Sequence, residues 1–122
     1  MIAQYTAASL VSENKVLSHP ASVDSIPTSA NQEDHNSMGS VAAIKLEQVI
    51  DNVESVIAIE MLCAAQGIDL LKPLKPGKGS GVAYHQVRSV VPFLEDDRNI
   101  SIDIAKVKEL IADPEFVLRI EK

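Results

Sequence analysis

Tryptophan is absent from this sequence, and two tyrosines and two phenylalanines are its only aromatic residues. Stacking platforms for single-stranded nucleic acid are therefore scarce, and the core has to be aliphatic. Cysteine occurs once, at Cys63. An intrachain disulfide is excluded, a reducing cytoplasmic setting is expected, and a thiol within "VIAIEMLCAAQ" reads as a small buried hydrophobe. Basic residues are outnumbered, with 11 Lys+Arg against 17 Asp+Glu and a net charge of -6. Such a surface repels phosphate backbones and anionic lipid, so neither nucleic acid nor a membrane is an expected partner. No apolar run approaches the roughly 20 residues of a bilayer span, and nothing after Met1 has the basic and apolar regions of a secretory leader. Alternation of period two is also lacking, which predicts an all-α protein.

What is present is helical periodicity. Residues 2–17 are rich in Ala and Leu and stop before His19-Pro20, where proline disfavours helical geometry in the residue before it. A second helix is predicted from Met38 to about Leu71, with Asn36 or Ser37 as N-cap and apolar residues from Leu46 to Ile68 spaced by threes and fours. At about 50 Å such a helix is too long for the other helices of one small domain to cover, so other chains or another part of the protein must cover it. Glu60, on its most apolar stretch, reads as a buried carboxylate paired with a neighbour rather than as a general base. Tyr5 and Tyr84 read as core-edge residues.

"KPLKPGKGSG", residues 72–81, reads as a linker within a single helical domain spanning 1–122. Its "GKGS" lacks the spacing and the preceding strand of a phosphate loop. Beyond it, Ala83, Val87, Val90, Val91 and Leu94 share one face, and Pro92 should kink or end their helix. A last helix is expected from a Ser101 cap, with Ile104, Val107 and Ile111 together, ending before Pro114. The three histidines share no metal-ligand spacing, and "EDH" at Glu33 to His35 cannot converge on one ion, so no metal site is expected. The stretch from His19 to Gly39 is too long for an idle connection, and it concentrates amides, carboxylates and hydroxyls in "TSANQEDHNS". That is the composition either of a pocket wall or of a mobile surface loop.

At this loop, "TAASLVSENKVLSHPASVDSIPTSANQEDHNSMGSVAA" resembles the C-terminal part of the histidine-specific members of the aromatic amino acid lyase family. "IEMLCAAQGIDLLKPLKPGKG" and "VRSVVPFLEDDR" resemble that family's later helices, so the likeness covers essentially the whole chain. It implies a long-helix bundle that assembles as a tetramer with composite active sites, and elimination of ammonia from L-histidine to give urocanate. The family's electrophile, a methylidene-imidazolone, forms from an Ala-Ser-Gly tripeptide, and these residues contain none. The resemblance thus implies that the electrophile and a catalytic tyrosine come from an upstream region, and that the isolated chain is inactive and binds L-histidine only when complete. Position by position, it places Glu33 in the active site near the substrate's amino group or imidazole, Asn31 and Gln32 beside the electrophile, and Met1 at a pocket methionine. Asn36 departs from the valine that the family pattern leads one to expect. A helical oligomerisation or binding module that keeps the scaffold without the chemistry is the alternative.

Overall fold

The structure, a computed structural model, describes residues 1–121. Among these there are five α-helices and no named strand: α1 (Ile2–Leu17), α2 (Gly39–Leu70), α3 (Lys78–Val90), α4 (Ile100–Ala112) and α5 (Glu115–Glu121). The all-α class and the positions of α1, α2 and α4 follow the periodicity closely, whereas α5, which starts just after Pro114, was not expected. None of the helices is long and apolar enough to cross a membrane. The chain divides into two compact units, one comprising Met1–Ala7 and the residues from Glu54 onward, the other Ala8–Val53.

The first unit carries the aliphatic core. Ala58 and Ala65 of α2 pack with Val87 and Val91, at the end of α3, and with Val107 of α4; Ile104, Leu110 and Ile111 close around them. Helix α3 ends at Val90 because Pro92 cannot continue it, and the non-helical residues that follow have carbonyls that need donors from elsewhere. Arg88 supplies them, donating to the carbonyls of Val91 and Pro92, each at 3.2 Å, while Gln66 pairs with both the N–H and the C=O of Leu94. Arg88 is itself fixed by Asp69, whose carboxylate also accepts from the Tyr84 hydroxyl and pairs with Lys72, each contact at 2.7 Å. Hydrogen bonds from Lys72, Tyr84 and Arg88 hold the Asp69 carboxyl well below the usual range, and Asp69 in turn raises the Lys72 ammonium. Arg98 repeats the arrangement on a smaller scale, pairing with buried Asp103 at 2.8 Å and donating to the carbonyls of Pro92 and Phe93.

The second unit is held differently. Asn52 is its one buried residue. The Asn52 amide donates to Glu13 Oε2 at 2.8 Å and to Asn14 Oδ1 at 2.9 Å, pinning α2 to α1 through polar atoms where an apolar contact is the norm. Lys45 caps the far end by donating to the carbonyl of His19.

The structure departs from the sequence pattern at helix boundaries and in exposure. The cap of α4 is Asn99, whose Oδ1 accepts from the N–H of Ser101; the shorter Ser101 side chain turns back to the same oxygen. Helix α2 begins at Gly39, so Met38 takes the boundary position expected of Asn36 or Ser37, and the Asn36 N–H is spent on Ser25 Oγ. Lys78 to Gly81, expected in the linker, form the first turn of α3, because Gly77 supplies the extended boundary that opens it. Glu60 and Cys63, expected to be buried, are exposed. Ala58, Met61, Leu62 and Ala65 pack into the aliphatic core, and Glu60 and Cys63 lie off that stripe. Tyr84 lies at the core edge as expected, whereas Tyr5 is exposed.

Candidate functional site

The polar loop closes on itself through hydrogen bonds. Thr28 and Glu33 form an antiparallel bridge, with Thr28 N donating to Glu33 O at 2.9 Å and Glu33 N to Thr28 O at 3.3 Å. A third bond joins the same pair through their side chains, from Thr28 Oγ1 to Glu33 Oε2 at 3.0 Å. Between them the chain reverses in a single left-handed turn, Ser29, Ala30 and Asn31, with φ of 53°, 54° and 65°. The N–H of Gln32 closes it on the carbonyl of Ser29. For L-residues that conformation costs about 1–2 kcal/mol each, so three in succession persist only where the flanking structure enforces them.

The turn brings three of the expected site residues together. Asn31, Gln32 and Glu33 stand side by side on it, all exposed, with Thr28 half-buried beneath. Met1 belongs to the other unit, immediately before α1, and is also exposed. Among the described residues no group of three His, Cys, Asp or Glu is arranged to hold a metal. A shallow depression of about 310 Å³ opens between residues 17–22 and Ala42, Lys45, Leu46 and Val49, and none of the expected site residues lines it. What the turn offers is a row of amide and carboxylate groups facing outward. A carboxylate there can accept hydrogen bonds from an imidazole or an ammonium, and flanking amides can orient a polar substrate. In the sequence, the mark of this pair is a threonine and a glutamate five residues apart around a short polar segment.

A family model for the aromatic amino acid lyases matches residues 1–89, which include the whole turn. The chain belongs to the aromatic amino acid lyase family. It is 62% identical to a histidine ammonia-lyase of Gloeobacter violaceus over 99% of its own length and 24% of that protein's. The crystal structure of histidine ammonia-lyase from Trypanosoma cruzi superposes with a TM-score of 0.94 at 52% identity, covering 99% of this chain and 24% of that one. Tyrosine aminomutase from Streptomyces globisporus superposes with a TM-score of 0.90 at 34% identity, covering 98% of this chain and 23% of its own. This lyase-family chain thus spans about a quarter of the length of the relatives it matches.

Proposed function

We propose that these residues supply the C-terminal part of a histidine ammonia-lyase, which converts L-histidine to urocanate and ammonia, with Glu33 contributing to an active site completed by other parts of the protein. The observation that carries this reading is the strained turn that presents Asn31, Gln32 and Glu33 together in a chain of this family. The higher identity to histidine ammonia-lyases than to the tyrosine aminomutase supports histidine as the substrate. In this reading Glu33 accepts a hydrogen bond from the substrate's ammonium or imidazole and can take a proton, while Asn31 and Gln32 orient polar groups beside it. Met1 would lie at the pocket in the assembled enzyme. The methylidene-imidazolone would make the amine a leaving group. No Ala-Ser-Gly occurs among these 122 residues, so this chain does not fit the group and its source lies outside them.

We further propose that the complete protein is a cytoplasmic homo-oligomer. The second unit has no buried apolar residue, while Leu46, Ile50 and Val53 of α2 lie 58%, 49% and 41% exposed at helical spacing. Such a stripe suits burial against other helices. The test is to join these residues to the upstream three quarters of the Gloeobacter violaceus relative and to follow urocanate by its ultraviolet absorbance. The joined protein is expected to turn over L-histidine, the chain alone is not, and Glu33→Ala should lower the rate by about 10²–10⁴. A joined protein that assembles without turnover would favour the non-catalytic oligomerisation module.

A further inference from the structure

We propose that Thr28 is a positioning residue that aims the Glu33 carboxylate, and that the left-handed turn serves to bring this pair together. The inference rests on the reading of Glu33 given above. Thr28 holds Glu33 at three points: the two reciprocal backbone bonds fix where the Glu33 Cα sits, and the hydroxyl fixes where its carboxylate points. Backbone pairing alone would leave an exposed glutamate free to sample its rotamers. The hydroxyl engages Oε2 and thereby leaves Oε1 for a partner from outside the loop.

The geometry of the loop follows from this pairing. Residues 28 and 33 are close enough to share three hydrogen bonds only if the four residues between them reverse the chain abruptly. The turn does so with three left-handed residues, none of them glycine. A loop that served only as a connection could relax this strain by opening the bridge, since its residues 29–35 are exposed and packed against little. The order of side chains matters as well. With Thr28 half-buried and Glu33 exposed, the fixed end of the pair lies in the scaffold and the aimed end lies on the surface, which is the arrangement a preorganised group requires.

The experiment compares Thr28→Val, Thr28→Ser, Glu33→Gln and the double variant Thr28→Val/Glu33→Gln in the joined protein, reading kcat and KM for urocanate formation together with oligomeric state. Valine keeps the shape and removes the hydroxyl, and it should lower kcat by about 10- to 100-fold, the range that a misplacement of about 1 Å can reach, with little change in KM. Serine restores the donor and should stay close to the parent. The double variant should be no slower than Glu33→Gln alone, because valine acts only through the carboxylate. A serine variant as slow as the valine one, a valine variant as fast as the parent, or additive losses in the double variant would overturn the proposal. An unchanged rate in Glu33→Gln would instead remove the reading of Glu33 on which it rests. Should the valine form fail to assemble, Thr28→Ala is read in its place against the same expectations.

Discussion

Ala30 carries a methyl group at a φ of 54°, where a backbone without a side chain would be more comfortable. Glycine there relieves a left-handed penalty of about 1–2 kcal/mol but adds unfolded-state freedom worth about 0.4–1 kcal/mol. Ala30→Gly should therefore be neutral or stabilising by up to about 1.6 kcal/mol in urea titration, whereas Ala30→Val, with a branched side chain against the same backbone, should be destabilising. Asn52 makes the opposite case, a polar side chain where the core would ordinarily be apolar. Its amide donates to a carboxylate and to a second amide. Asn52→Ala should cost about 2–4 kcal/mol, the sum of two hydrogen bonds, one of them to a charged group. Asn52→Asp should cost more near neutral pH, since it sets a second carboxylate against Glu13, and should recover as the pH is lowered through the carboxylate range and one of the two is protonated.

The elements show where local pattern determines structure and where it does not. Helices α1 and α2 were legible to within a residue at each end, because Pro20 and the periodicity from Leu46 onward leave little choice. The faces of α3 and α4 were legible too, and Val87, Val91 and Val107 lie at the core as their spacing requires. Caps and exposures were harder. Whether Asn99 or Ser101 caps α4 depends on a hydrogen bond between near neighbours, and the exposure of Glu60 and Cys63 depends on which helices cover α2. The Asp69 cluster was not legible, since its members are brought together only when α2 and α3 pack. Its titration gives a clear expectation. Asp69 ordinarily titrates near 3.8, and its carboxyl is held lower in the folded protein by Lys72, Tyr84 and Arg88. The stability it lends is complete above about pH 4 and is lost as acidification approaches the folded value. Asp69→Asn should lower the melting temperature at neutral pH and flatten its fall between about pH 4 and pH 2, measured by circular dichroism.

At the scale of the whole molecule, the two units differ in what holds them. One has an aliphatic core across three helices, the other a single buried asparagine. Amide hydrogen exchange is expected to be slow at Val87, Val91 and Val107 and fast across residues 8–38, since segments with few buried contacts open at low free energy. Comparable protection in both would contradict this. The resemblance made Asn31, Gln32 and Glu33 legible as site residues, but the turn that presents them was not, because three left-handed residues in a row leave no mark in composition. Cys63 is exposed to solvent. It is the chain's sole thiol and it stands on α2, the helix whose apolar residues are incompletely covered. Its alkylation by a maleimide is therefore expected to be fast in the isolated chain, and slower labelling in an assembled protein would report, by mass, that this stretch of α2 has been covered.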